Sequence, residues 1–306
     1  MSDQVVPVRA GQAARRPRRA ARVSWREMEP YLLLAPAAIF MLVFFAWPAI
    51  QALLIAFRTS DGVFTLANFQ AMVNDTDFGK ALRSTLVLIA LIIPIETVIA
   101  LCMAVLAQSR LRFRNLMLYF WSIPLAVSDL AAGLVWFSVF TSHGYLNSVL
   151  QDLHLIQHPV GFLDFNNLGG LVGAIVIAEV WRSISLVMVV IMSGIQAIPA
   201  ELGEAAEIMG ASAWRRFTRV TLPLLKPTLQ VALILRTTAA FQIFAVVAAL
   251  AGSALPVLAV KSESWVSEFR NFQLAATYAV LILVLSSLGT VLWLGVLRTP
   301  REVFQR

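Results

Sequence analysis

The sequence predicts an all-α membrane protein with six transmembrane helices and both termini in the cytoplasm, on three observations. Hydrophobic residues make up 59% of the chain against 13% charged, with a mean hydropathy of +0.79, well beyond the apolar share of an average soluble domain. Six apolar stretches, approximately 31–57, 85–107, 116–140, 171–195, 222–251 and 272–296, each reach the roughly 20 residues that a helix needs to cross a bilayer core. The basic residues fall on alternate connecting segments, which fixes the orientation.

The chain opens on seven arginines between Arg9 and Arg26, interspersed with prolines and alanines and without a hydrophobic period. Residues 1–30 therefore read as a disordered basic cytoplasmic tail with some attraction to the membrane surface. The apolar run that follows is too long for the core of a cleavable signal. With this tail inside, the inner segments also take Arg110, Arg112, Arg114, Arg215, Arg216, Arg219, Lys226 and the arginines of the short basic tail 297–306. The outer loops keep only Arg58, Lys80, Arg83, Lys261 and Arg270. The net charge of +7 thus follows membrane topology and lipid, and nucleic acid is not expected as a partner. A single cysteine, Cys102, excludes an intrachain disulfide.

Two long outer loops, 58–84 and 141–170, mix apolar and polar residues (FTLANFQAMVNDTDF and GYLNSVLQDLHLI) as packed surface loops do. His143, His154 and His158 share the second loop. The last two have the i, i+4 spacing of a zinc-binding helix face, but without a cysteine or fourth ligand nearby a loop surface is the preferred reading and no metal is expected.

Between the fourth and fifth apolar runs lies the charged stretch Glu201–Pro227 (ELGEAAEIMGASAWRRFTRVTLPLLKP), which the charge bias places in the cytoplasm. It reads as helix, break, helix. Leu202, Glu204, Ala205, Ala206 and Glu207 are strong helix formers with carboxylates near the start. Gly210 is a stop, Ser212 an N-cap for a second helix carrying Trp214, Arg215, Arg216, Phe217 and Arg219, and Pro223 suits the entrance of the next run. Ala205, Ala206, Ile208 and Ala211 would offer a small-residue surface to another protein.

This stretch resembles the EAA loop of ABC importer permeases. Glu204-Ala205-Ala206 is followed after three residues by Gly210, after nine more by Val220, and after one by Leu222-Pro223, with Val in place of the usual Ile. Gly194, Gln196, Ile198, Pro199 and the Leu222–Pro227 segment are similar to the carbohydrate-uptake branch, which includes maltose and glycerol-phosphate permeases; so are Pro124, Trp136, Gly144 and Asn147. The resemblance implies a type I ABC importer permease over residues 31–296, with a coupling loop at 196–221 that docks into a cytoplasmic ATPase dimer through Glu204, Ala205, Ala206, Gly210, Ala211, Leu222 and Pro223. It also implies a second related permease subunit, an extracytoplasmic sugar-binding protein received by the outer loops, and location in a bacterial plasma membrane.

ATP and Mg would be bound by the partner ATPase, since this chain has no GxxxxGK[ST] phosphate loop: Gly79-Lys80 is followed by Ala81 and lacks the earlier glycine. No Ser/His/Asp or HExxH pattern suggests a membrane hydrolase. Two departures from the family pattern stand out: Met209 occupies the place of a frequent Asp, and the turn before the last span reads Ala251-Gly252-Ser253-Ala254-Leu255-Pro256 instead of a glycine-rich sequence. With the Arg and Ala bias these resemble the permease half of actinobacterial disaccharide importers such as the trehalose-recycling system. An importer of polyols, glycerol phosphates or oligosaccharides is the alternative reading, and an ion-coupled secondary transporter the rival class.

Five ionisable residues fall inside the apolar runs: Glu96, Asp129, Glu179, Arg182 and Arg236. Each costs about 2.5–3.5 kcal/mol on insertion, so such residues mark a pathway or a pair. Glu179 and Arg182 can pair across one helical turn, and Arg236 runs back at comparable depth. One reading is a mid-membrane polar cavity in which Glu179, Arg182, Arg236, Phe241, Gln242 and Phe244 are substrate-pathway residues, polar groups binding sugar hydroxyls and aromatic faces stacking on the ring. It predicts that Ala at Glu179 or Arg236 abolishes uptake and leaves assembly intact. The other reading is an internal salt bridge that locks helices together.

Overall fold

The computed structural model describes residues 25–108 and 112–297, and the chain divides into two compact units, 1–51 and 52–306. Most of the arginine-rich tail and all but Leu297 of the C-terminal tail lie outside the described residues. The first helix, α1 (Trp25–Met41), starts inside the segment read as disordered tail. Glu27, Met28 and Glu29 are residue types that favour helix. A single π turn, Leu42–Ala46, leads from α1 into α2 (Trp47–Ala56). Pro48 has no N–H to donate to the Phe44 carbonyl, and the backbone widens just ahead of it. Tyr31, Leu33, Phe44 and Trp47 are all exposed, as in a helix that is apolar all round and meets lipid.

In the second unit, which begins within α2, the regular structure among the described residues is helix, apart from one isolated bridge between Arg58 and Phe64. Short α3 (Ala67–Val73) precedes the long α4 (Phe78–Gln108). Next come α5 (Arg114–Ser122), extended by a 3-10 turn at Ile123–Ala126, then α6 (Asp129–Phe140), α7 (Tyr145–Asp152) and the long α8 (Leu168–Gln196). Helices α9 (Ala200–Ile208), α10 (Ala213–Arg216) and α11 (Leu222–Leu224) follow, with a π turn at Phe217–Thr221. The fold closes with α12 (Lys226–Phe241), α13 (Ala245–Ala251), α14 (Leu258–Ser267) and α15 (Phe272–Val296).

Four of the six expected spans are continuous: Glu29–Ala56, Phe78–Gln108, Leu168–Gln196 and Phe272–Val296. The other two are broken. The apolar run over 116–140 bends by 106° between α5 with its 3-10 extension and the segment that starts with α6, and the run over 222–251 bends by 48° between α12 and α13. The first break has a local cause, because Val127 is extended and the Ser128 hydroxyl accepts from the Ala131 amide, which starts a new helix in the middle of an apolar run. Likewise α8 begins earlier than expected because the Asn167 side chain accepts from the Gly170 amide.

The core lies where α4, α8, α12 and α13 meet. Ala100, Ala104 and Ala178 are fully enclosed, and small residues let the backbones approach where lipid offers no hydrophobic gain. A Cβ on Gly133 would lie 2.7 Å from that of Ala249, so α6 packs on α13 at glycine distance. One on Gly194 would collide with Thr228. The 141–167 segment is a packed loop organised by Asn147, which is completely buried, donates to the Thr141 and Val160 carbonyls at 3.2 and 3.0 Å, and accepts from the Val160 amide at 2.9 Å. Helix α7 ends at Asp152, and His154 has a left-handed φ of 57°. The spacing of His154 and His158 is therefore not that of a helix face.

At the same end of the molecule Asp75 ties the turn before α4 to α14 and α15. Its Oδ2 accepts from Tyr278 at 2.7 Å and Trp265 at 3.3 Å and pairs with Lys261 at 3.2 Å, while Oδ1 accepts from the Asp77 amide at 3.0 Å. Burial pushes this carboxyl up, but the Asp77 amide, the Tyr278 hydroxyl and the Lys261 ammonium together hold it below the ordinary carboxylate range. A depressed folded-state pKa contributes stability that is present above the unfolded value of about 3.9 and is lost as pH falls through the folded value. Thermal melts of the detergent-purified protein should lose stability on acidification below about pH 4, and Asp75→Asn should be less stable at neutral pH with a smaller acid-dependent loss.

Candidate functional site

Two constellations stand out. The first is the charged turn after α8. Helix α9 ends in paired backbone bonds, Ala211 N–H to Ala206 C=O and Gly210 N–H to Glu207 C=O, both at 2.9 Å, with Gly210 at φ +78°. This is the pairing of a Schellman motif, which needs a left-handed residue just past the helix. Nothing lies within 4 Å of where a Gly210 Cβ would stand, so the demand for glycine is one of backbone alone. Ser212 then caps α10, its hydroxyl accepting from the Arg215 amide at 3.4 Å, and an Arg216–Glu207 ion pair spans the turn. The expected helix, break and helix are all present, the second continuing from α10 through the π turn into α11.

Glu204, Ala205 and Pro223 are exposed, while Ala211 and Leu222 are half-buried. Ala206 is only 7% exposed and so does not belong to the small-residue surface expected of it; it faces inward as the third-from-last residue of α9. What the turn presents outward is larger. Ile208, Met209 and Trp214 are 88%, 80% and 74% exposed, an apolar crest on a charged base. Met209 and Trp214 drew no such assignment from the sequence, and a run of apolar residues across a glycine stop was the available signal.

The second constellation is an ionic chain through the middle of the long helices. Arg236 of α12 gives Nε to Glu96 of α4 at 2.5 Å and Nη2 to Glu179 of α8 at 3.0 Å. The same Glu179 oxygen receives Nη2 of Arg182 at 3.1 Å, and Arg182 Nη1 reaches Asp129 of α6 at 2.7 Å. Four helices are thereby joined by alternating charges, Glu96–Arg236–Glu179–Arg182–Asp129. All five intramembrane ionisable residues come together in this one chain. It is enclosed at one end: the side chains of Glu96, Glu179 and Arg236 are 0%, 2% and 3% exposed. Glu96 Oε1, Arg236 Nη1 and Arg182 Nε are buried without a hydrogen-bond partner among the described residues.

This geometry corrects the expectation of an open cavity lined by Glu179 and Arg236. Both are sealed between helices because each already satisfies the other's charge. Phe241 is also interior, in a smaller core with Leu258, Leu274 and Tyr278. Gln242 and Phe244 are exposed, at the break between α12 and α13. Of the six pathway candidates, Arg182, Gln242 and Phe244 are the ones not fully enclosed.

Residues 96–297 match the family of binding-protein-dependent transport system inner membrane components, and the chain belongs to that family: it is a multi-pass permease of the inner membrane. The matched region begins at Glu96 and therefore takes in both the ionic chain and the glycine turn. The trehalose transport system permease protein SugA of Mycobacterium tuberculosis is 29% identical over 270 residues, 85% of either chain. The sn-glycerol-3-phosphate transport system permease protein UgpA of Agrobacterium fabrum is 35% identical over 219 residues, 69% of this chain and 73% of its own. The trehalose/maltose transport system permease protein MalF of Thermococcus litoralis is 30% identical over 297 residues, 92% and 98% of the two chains. Among solved structures, a bacterial ABC transporter that imports the acidic polysaccharide alginate superimposes with a TM-score of 0.76 at 20% identity, covering 90% of this chain and 98% of that one. At that identity the likeness is one of fold.

Removing one member of a buried ion pair strands the other charge, at a cost of about 3–5 kcal/mol. Arg236→Met should therefore lower thermal stability in detergent and reduce the folded yield by size-exclusion chromatography, in contrast to the intact assembly that an open-cavity role predicts. Glu96→Gln, which keeps an acceptor for Arg236 Nε, should have a much smaller effect in the same assay.

Proposed function

We propose that this chain forms one half of the translocation pathway of an ATP-driven importer for a neutral sugar, of the disaccharide class to which trehalose belongs. A second, related permease supplies the other half, an extracytoplasmic binding protein delivers the sugar, and a cytoplasmic ATPase dimer holding ATP and Mg drives the cycle. Residues 31–296 form the permease domain, flanked by basic cytoplasmic tails, and 196–221 the coupling loop. The observation that carries the reading is the turn at Gly210, where a backbone-locked knob presents Ile208, Met209 and Trp214 beyond the ends of the long helices. An apolar crest of that kind on a charged segment calls for a protein partner. Glu204, Ala205, Ala206, Gly210 and Ala211 shape the knob, and Leu222 and Pro223 anchor its return to α12.

The sugar assignment is supported by relatives named for trehalose and for trehalose/maltose transport, the second aligned over nearly the whole chain. A glycerol-phosphate substrate is the second reading, favoured by the higher identity, over a shorter region, to the glycerol-phosphate permease.

Mechanistically, ATP must favour one state of the complex over the other for hydrolysis to drive transport. The knob is the part of this chain that feels the ATPase move, and because it is continuous with α8 and α12 it passes that motion to the membrane helices. Isolating the tagged chain from its native membrane should bring down an ATPase and a second permease. Gly210→Ala forces a Cβ into a left-handed conformation, at a cost of about 1–2 kcal/mol, and Gly210→Pro is incompatible with φ +78° because proline fixes φ near −65°. Both variants should reach the membrane, with sugar uptake and substrate-stimulated ATP hydrolysis reduced in Gly210→Ala and abolished in Gly210→Pro. Uptake that persists without ATP and collapses with the proton gradient would replace this reading with a secondary transporter.

A further inference from the structure

The ionic chain has one accessible end. Its Glu96, Glu179 and Arg236 members are sealed, whereas the side chain of Arg182 is 17% exposed and that of Asp129 is 61% exposed. Arg182 is the central residue of the 29-residue α8, so the carboxylate it holds lies at mid-bilayer depth. A carboxylate there is too costly to face lipid. The backbone break beside it, at Val127 and Ser128, is tolerated at such depth only where protein or water satisfies the freed groups. The exposed face of Asp129 is therefore turned toward another subunit or an aqueous path. Arg182 occupies Oδ1 of Asp129, and Oδ2 has no partner among the described residues.

We propose that Asp129 and Arg182, at the break between α5 and α6, form a sugar-hydroxyl subsite on the translocation path, with Glu179, Arg236 and Glu96 as the residues that position it. The proposal rests on the sugar-importer reading above and narrows it. A carboxylate held beside a guanidinium offers an acceptor and donors side by side, which suits a pair of neighbouring hydroxyls. Both guanidiniums of the chain are already shared between carboxylates, Arg236 between Glu96 and Glu179 and Arg182 between Glu179 and Asp129. With three carboxylates to two guanidiniums, no cation is free for a phosphate or a uronate. The subsite therefore selects a neutral polyhydroxyl ligand over an anionic one.

The test uses the transporter purified with its partner subunits and reconstituted in proteoliposomes, with radiolabelled trehalose and maltose as probes. Loss of a hydrogen bond to a charged group corresponds to a change of about tenfold to a hundredfold. Asp129→Ala should raise the KM for uptake by that factor with a smaller change in kcat, and Asp129→Asn should fall between. A monodeoxy analogue that wild type handles poorly for want of the contacted hydroxyl should be handled by Asp129→Ala no worse than the parent sugar, and Asp129→Ala, which frees Nη1 of Arg182, should accept sn-glycerol 3-phosphate better than wild type does. Normal wild-type uptake combined with an unchanged KM and retained analogue discrimination in Asp129→Ala overturns the subsite alone, as does a loss confined to kcat. Failure of wild type to transport either neutral disaccharide overturns the sugar reading and the subsite with it.

Discussion

Arg236 is the residue on which the membrane core depends. Its guanidinium reaches α4 through Glu96 and α8 through Glu179, and in a medium with neither water nor counterions each of these charges is tolerable only because the others are there. Apolar packing in lipid discriminates weakly between one helix face and another, since the surroundings are as greasy as the contact. The ionic chain supplies that discrimination. It sets the register of α4, α8 and α12 at mid-depth and fixes the orientation of α6, so the small-residue contacts at Ala100, Ala104, Ala178 and Gly133 close around a frame already chosen.

The two constellations divide the work. Mid-membrane, charge and burial build a frame with one open end at Asp129. Beyond the helix ends, the glycine turn builds a compact knob whose conformation is held by backbone hydrogen bonds and whose surface is free to meet another chain. Helices α8 and α12 join the two.

The sequence displayed much of this and hid the rest for physical reasons. Helical class, span number and the break at Gly210 were legible because each rests on local chemistry: runs of apolar side chains, a glycine stop, a serine cap at Ser212. The break at Ser128 used the same capping chemistry, but it lay within an unbroken apolar run, and hydropathy outweighed the cap in the reading. The inward turn of Ala206 depends on helix phase relative to neighbours, which composition does not record. All five ionisable members of the chain were visible as residues too polar for their surroundings, and the Glu179–Arg182 pair followed from spacing. That Glu96 and Asp129 complete the chain depends on contacts across 140 and 53 residues of sequence, beyond any local rule. The distinction between a cavity and a sealed lock was likewise a matter of tertiary packing.

The 140 residues that separate Glu96 from Arg236 also carry a consequence for biogenesis. At 5–20 residues per second, Arg236 is synthesised on the order of ten seconds after Glu96. Throughout that interval α4 carries Glu96 without its partner, while α8 arrives with Glu179 already able to pair with Arg182. A lone carboxyl costs about 2.5–3.5 kcal/mol at mid-span, which the 31 apolar-rich residues of α4 outweigh, so α4 enters the membrane before its ion pair can form. Closure of the ionic chain is then a late event that orders helices already in the membrane.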